Sequence, residues 1–395
     1  MSPTAAHRSE HHGTAVSVDG SGPLRRSLEV EYWVVDGEGR LVEPDGLVGA
    51  AEGTEREFVE PILEVKTSPC ETTAELREEL YERLGAVLRR ADELDRGLVP
   101  LATPMCEETV GELDSERTRI QNRIVGDDFR YVRHCAGTHI HVEQRPGREI
   151  DQLNALVAID PALALANTSP YFDGRRLAAG ARSKLYRRMA YDDVPHQGWL
   201  WRYAGDTREW SRRLERRFEE FLTAAVDAGV DRTDVESNFS PESAVWTPVQ
   251  LRERFSTVEW RSPDNALPSE VLRLADDVAG FVERLDGAEL RIDGETGSVS
   301  DEMVVAPEFD AVLKYVDAAI EEGLESEAVR SYLDRMGFDV DAYSPVTHEI
   351  DGRETVSPEE AREIRLEHAE RLERDVRSGG RRSGRSGQSA RERTD

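Results

Sequence analysis

The segment Ser27-Leu28-Glu29-Val30-Glu31-Tyr32-Trp33 alternates carboxylates with large apolar side chains. Residues two apart in a strand point to the same face. Glu29 and Glu31 therefore project together, while Leu28, Val30 and Tyr32 project the opposite way. Such a strand belongs in a sheet with one face buried and acid on the other. The pattern recurs. In Ala136-Gly137-Thr138-His139-Ile140-His141-Val142-Glu143, the two histidines and Glu143 share a face, and in Thr257-Val258-Glu259-Trp260-Arg261, Glu259 and Arg261 do. In Glu57-Phe58-Val59-Glu60-Pro61-Ile62-Leu63-Glu64, Glu60 and Glu64 share parity. Glu57 joins Glu64 only if the strand is offset, which a bulge at Pro61 would supply.

Like charges on one face cost energy unless something positive sits between them. A wet acidic surface is the plain reading of any one such pair. Several of them with imidazole on one sheet face form a hard, oxygen-rich set that suits Mg²⁺ or Mn²⁺ better than zinc. Mg²⁺ commonly partners substrate phosphates, so a nucleotide is expected. The chain has no G-x-x-x-x-G-K-[ST] and no G-x-G-x-x-G opening a helix after a strand. ATP would then be held by metal and by arginines, whose planar forks suit phosphate and carboxylate alike. The candidates are Arg117, Arg119, Arg123, Arg182, Arg187 and Arg261. His141 has the parity of His139 and competes with it for a metal.

Around these segments the spacing predicts a strand over 28–35 with a turn at 36–39 and a return over 40–42. Further strands are expected over 58–67, 137–143 and 256–261. Thr72 with Glu75 three residues on reads as a capping box. It opens a helix with an apolar stripe at Leu76, Leu80, Leu84, Leu88 and Ala91. Helices are also expected over 150–167, 207–228, 269–285, 308–322, 325–336 and 358–375. Residues 1–24 read as a disordered leader and 25–375 as a single catalytic domain. Residues 376–395, rich in Arg, Ser and Gly, read as a disordered tail.

Charge narrows the function. The chain of 395 residues carries a formal net charge of −29, and Lys66, Lys184 and Lys314 are its only lysines. Excess acid with arginine in place of lysine points to a salt-rich cytosol that screens self-repulsion. It also argues against nucleic acid as a partner. Three cysteines, Cys70, Cys106 and Cys135, contain no C-x-x-C pair and suggest neither a disulfide framework nor a zinc knuckle. No apolar run is long enough for a membrane span and no secretory h-region is visible, so a cytoplasmic location is expected.

Taken in order, Leu-Glu-Val-Glu-Tyr (28–32), Glu57 to Pro69, Asn122-Arg123, Ala136 to His141, Gly180-Ala181-Arg182-Ser183 and Thr257 to Arg261 resemble the glutamate–cysteine ligase type 2 family. The resemblance covers roughly residues 27–300. It implies an α+β, glutamine synthetase-like catalytic fold, with a curved, mainly antiparallel sheet and helices packed on its outer face. It also implies one metal held by Glu31, Glu57 and Glu64, and a second held by Glu29, His139 and Glu259 and bridging ATP phosphates. Arg261 would face the phosphoryl group in flight, Arg182 would clamp substrate or phosphate, and Arg117 and Arg187 would contact the nucleotide. The implied reaction joins glutamate and cysteine at the cost of ATP through a γ-glutamyl phosphate. The rivals are a ligase of the same fold with another acid or amine, a metal-dependent hydrolase using His139 and His141, and a non-catalytic binding protein.

Overall fold

The computed structural model of the chain describes residues 22–107, 109–191, 194 and 196–391, with side chains as far as 380. Five strands come first: β1 (Arg26–Asp36), β2 (Thr54–Arg56), β3 (Ile62–Lys66), β4 (Arg96–Val99) and β5 (Thr138–Glu143). A separate hairpin of β6 (Tyr171–Phe172) and β7 (Arg175–Arg176) precedes β8 (Val249–Arg252) and β9 (Thr257–Trp260). The main sheet runs β2-β3-β1-β5-β9-β8, and β4 pairs with the far end of β1. Every pairing in it is antiparallel.

The alternation in the sequence decides which face is covered. Leu28, Val30, Tyr32 and Val34 of β1, Leu63 and Val65 of β3, Ile140 and Val142 of β5, and Val258 of β9 are all buried in the main core. The helix Thr73–Glu93 lies over that face with Leu76, Leu80, Leu84, Val87 and Ala91 inward, and its capping box is formed as expected. Val87, rather than Leu88, completes the buried stripe. The helix Pro268–Glu283 packs beside it through Val271, Leu272, Ala275 and Val278. Each buried Leu or Val contributes about 1.5–3 kcal/mol, which fixes register, because a one-residue slip would bury the carboxylates instead.

Several expectations change. Within 58–67 the strand begins only at Ile62, and Glu57 to Pro61 form a loop bridged from Val59 to Glu112. The return over 40–42 reduces to one bridge, Val35 to Leu41. The helix expected over 150–167 ends at Ala158 and passes into a tighter 3₁₀ stretch over Asp160–Ala166, where Pro161 supplies no N–H. The last helix, Pro358–Arg391, runs past 375, and Val376 sits in the main core. The stretch expected as a tail therefore begins inside a helix. Of the expected leader, residues 1–21 lie outside the described residues, while Leu24 is fully buried. No helix among the described residues is long and apolar enough to cross a membrane.

Candidate active site

The opposite face of the main sheet carries polar side chains in register. Glu31 stands opposite Glu64, Glu29 lies between Lys66 and His139, and His141 stands opposite Glu259. Glu57 arrives from the loop before β3, so its place is set by that loop and not by strand parity. Three groups bring one donor atom each to within 4.8 Å of one another: Glu31, Glu57 and Glu64; Glu29, Glu64 and His139; and Glu29, His141 and Glu259. His139 Nδ1 is 3.1 Å from Glu29 Oε2 and 3.4 Å from Glu259 Oε1. His141 Nε2 is 3.8 Å from Glu29 Oε1 and 3.7 Å from Glu259 Oε1. Both imidazoles thus face the same two carboxylates, and Glu29 is shared between neighbouring groups.

The charges are unevenly compensated. Lys66 Nζ lies 2.8 Å from Glu64, 3.0 Å from Glu55 and 3.9 Å from Glu29. One ammonium cannot neutralise so many carboxylates. Burial, helped by the charge of Glu31, pushes Glu57 up to about 8. Burial, with Glu57 and Glu29 adding to it, likewise raises Glu64 well above the usual range. Glu29 and Glu259 go the other way. Burial would raise Glu29, but the hydrogen bond of His139 and the charges of His139 and His141 hold it far below an ordinary carboxyl. Burial opposes ionisation of Glu259 too, yet Arg261, His141, His139 and Arg252 bring it to about 2.

A cavity of about 310 Å³ opens at the Glu31 end of this face. Glu31, Glu57, His139 and Arg261 border it at the sheet, and Arg117, Tyr186 and Trp246 border it away from the sheet. Arg261 Nε is 3.2 Å from Glu259 Oε1. Arg117 donates to the carbonyl oxygens of Asn238 at 2.5 Å and Ser243 at 3.4 Å, and lies 4.2 Å from the Phe239 ring centre. It forms no ion pair among the described residues. Arg182 donates to the carbonyls of Arg261 and Ser262 at 3.3 and 3.1 Å, bracing the turn after β9. It packs so closely over Gly137 that a Cβ there would sit 2.1 Å from its Nη2. Gly137 in turn donates its N–H to Glu31 Oε2 at 2.6 Å.

Arg187 differs from its expected use. Its two Nη atoms donate to Asp160 at 2.6 and 3.2 Å, and Nη2 also donates to Ser262 Oγ at 2.5 Å. Trp260 Nε1 donates to the same Asp160 at 2.9 Å. This guanidinium is committed to the protein's own buried acid. Arg119 pairs outward with Asp114 and Glu116. Three contributors went unassigned from the sequence. Lys66 lies two residues after Glu64 on β3, so strand parity alone puts the two on one face. Arg252, whose Nη1 is 3.3 Å from Glu259 Oε2, lies on β8, a strand with no clear sequence signal. Asp264, buried beside Arg182, comes after Pro263 where strand parity no longer applies.

The donor set fits a hard divalent cation. The Glu31, Glu57 and Glu64 group is all oxygen and short of positive charge. His141 Nδ1 meets Thr257 Oγ1 at 3.0 Å, while its buried Nε2 has no hydrogen-bond partner and faces Glu29 and Glu259. A second-sphere hydroxyl on one ring nitrogen with the other left free is the arrangement of a metal-bound imidazole.

A model of the glutamate–cysteine ligase family 2 matches residues 27–392. The chain belongs to this family. Curated relatives include a putative glutamate–cysteine ligase 2 of Chloroflexus aggregans, 29% identical over 262 residues, which are 62% of this chain and 60% of the relative. Another, of the same description, comes from Ruegeria pomeroyi and is 25% identical over 252 residues, 60% of this chain and 59% of the relative. The chain thus matches about three fifths of the length of these relatives. A Francisella tularensis glutamate–cysteine ligase solved with AMP superposes with a TM-score of 0.56 at 12% identity, covering 95% of each chain. A bifunctional glutathione synthetase from Pasteurella multocida gives a TM-score of 0.56 at 14% identity, over 89% of this chain and 52% of that one. The α+β fold, with helices on the outer face of an antiparallel sheet, is therefore shared with these ligases. In this family 2 member, the polar sheet face and its cavity lie on the side of the sheet opposite the helices Thr73–Glu93 and Pro268–Glu283.

Proposed function

We propose that the protein is a cytoplasmic, Mg²⁺- and ATP-dependent glutamate–cysteine ligase. The observation that carries this reading is the crowding of Glu31, Glu57 and Glu64, with too little positive charge between them, beside a cavity walled by Arg261 and by Arg117, which has no acidic partner among the described residues. In the reaction, the γ-carboxylate oxygen of glutamate takes the γ-phosphoryl group of ATP and ADP leaves. The amine of cysteine then attacks the acyl phosphate, loses a proton, and expels phosphate as the amide bond of γ-glutamylcysteine forms. Glu31, Glu57 and Glu64 would hold one divalent ion, and Glu29, His141 or His139, and Glu259 another. Mg²⁺, when bound there, neutralises triphosphate charge and orients it; Mn²⁺ has the same ligand preference.

The chain's own residues do the rest. Arg261, oriented by Glu259, presents a fixed guanidinium to the phosphoryl group in transfer. Arg117 offers its fork to a carboxylate or phosphate at the far wall. Arg182 keeps the turn after β9 rigid, so Arg261 stays aimed. No protein nucleophile is required, and buried Cys135, its thiol raised to about 12 by burial, is unsuited to be one.

The test follows ADP and phosphate release in concentrated KCl with Mg²⁺, ATP and glutamate, using a panel of amine acceptors. Turnover only with cysteine supports the reading. Turnover only with another acceptor reassigns the protein to a different carboxylate–amine ligase of the same fold. No turnover from a folded sample overturns the ligase reading. The hydrolase alternative lacks support, because no third imidazole joins His139 and His141 in the groups formed by the described residues.

A further inference from the structure

Glu31, His139 and Arg261 border the cavity, whereas His141, Thr257 and Phe255 follow one another along the same face away from it. Phe255 closes the turn between β8 and β9 and is 50% exposed. A lone exposed aromatic is ordinary on a protein surface. Phe255 is set apart by what surrounds it. Its ring meets His141 edge-on, with centroids 6.1 Å apart and planes at 79°. The guanidinium carbons of Arg252 and Arg254 each lie 5.6 Å from its centre. Arg252 also reaches Glu259 at 3.3 Å, so one cation spans from the metal-type carboxylates to the aromatic ring. Arg254 has neither a hydrogen bond nor an ion pair among the described residues. In a chain of net charge −29, an exposed ring flanked by two guanidiniums at the end of an acidic row is a specific arrangement.

We propose that Phe255 is the stacking platform for the nucleobase of ATP, with Arg252 and Arg254 flanking it on the phosphate side. The inference rests on the ATP-dependent reading above. The terminal phosphoryl group must meet the amino acid inside the cavity, so the rest of the nucleotide leaves past Glu29 and His141. That path ends at Phe255. A half-exposed aromatic ring with guanidiniums over it matches the chemistry of a base on a phosphate chain. Ser256, in the left-handed region at φ 52°, turns the chain directly after the ring.

The experiment measures binding by calorimetry on the full chain in concentrated KCl. Mg-ATP and Mg-tripolyphosphate, which lacks a base, are titrated into the parent protein, Phe255→Ala and Phe255→Trp. Loss of one base–aromatic stack corresponds to about five- to 150-fold. Phe255→Ala is expected to weaken Mg-ATP by that factor, leave Mg-tripolyphosphate unchanged, and be rescued by Phe255→Trp. Equal Mg-ATP affinity in parent and Phe255→Ala overturns the platform alone, and so does an equal loss for both ligands. A parent protein that binds no Mg-ATP overturns the ligase reading together with the platform.

Discussion

Glu31 and Glu64 stand directly opposite each other on β1 and β3, and Glu57 is drawn to the same point from the preceding loop. Facing like charges destabilise a sheet by up to about 1 kcal/mol per pair. This arrangement therefore costs folding energy unless a cation joins it. Glu57→Gln is expected to make the metal-free protein slightly more stable while removing most of the stabilisation by added Mg²⁺. Thermal unfolding with and without Mg²⁺ measures both. A parent protein whose midpoint ignores Mg²⁺, or a variant that responds like the parent, would sink the metal assignment. Glu64→Gln and Glu259→Gln should each abolish ATP-dependent turnover with the fold intact by circular dichroism.

Arg187 and Asp160 form a buried ion pair that also binds Ser262 and Trp260. Removing one partner of such a pair costs about 3–5 kcal/mol, because the other charge is left uncompensated. Arg187→Met should lower stability by about that amount. Adding Asp160→Asn to it should recover part of the loss. Denaturant unfolding of the two single variants and the double variant gives the coupling. Simple additivity would mean that the pair does not act as a unit.

Asp264 gives a pH dependence whose sign is opposite to that of most carboxylates. Burial raises it to about 7, against the pull of Arg182 and the N–H of Thr168, and its Oδ1 has no partner. Its folded value lies above its unfolded value of about 3.8, so the folded state binds the extra proton. Its contribution is fully present below about pH 4 and is lost as pH rises through about 7. A shift of about three units corresponds to at most about 4 kcal/mol. Asp264→Asn should therefore stabilise the protein relative to the parent more at pH 8 than at pH 5. Unfolding curves at the two pH values that differ by a constant amount would exclude this.

What the sequence made legible follows strand parity. Glu29 with Glu31, His139 with His141, and Glu259 with Arg261 lie together because i and i+2 positions must. Register between strands is a tertiary property. The choice between His139 and His141 as partner of Glu29 and Glu259 was therefore open in the sequence, and the structure brings both close. Glu57 was beyond parity, since a loop places it. Arginines were the least legible: Arg117, Arg182 and Arg187 are the same residue type, yet Arg117 has no ion pair among the described residues and holds the carbonyls of Asn238 and Ser243, Arg182 braces the turn after β9, and Arg187 is locked to Asp160. Buried partners such as Asp160 sit in a 3₁₀ stretch that helical periodicity misreads, so the pairing left no local trace.

The surface makes one more prediction. Exposed ion pairs such as Arg202 with Asp310 and Arg119 with Asp114 are scattered over a chain of net charge −29. Salt acts on these features in opposite directions. It weakens each exposed pair, which is worth only about 0–1 kcal/mol, and it screens the repulsion among the excess carboxylates, which grows with total charge. The screening length falls from about 10 Å at 0.1 M to about 3 Å at 1 M. Repulsion among carboxylates spaced between those lengths is then largely removed, while contact pairs keep part of their attraction. The unfolding midpoint should therefore rise steeply from dilute buffer to molar KCl and level off beyond it. Circular dichroism melts across a KCl series measure this. A midpoint that is flat or falls with KCl would show that the ion pairs outweigh the repulsion, and the proposed salt-rich setting would lose its physical basis.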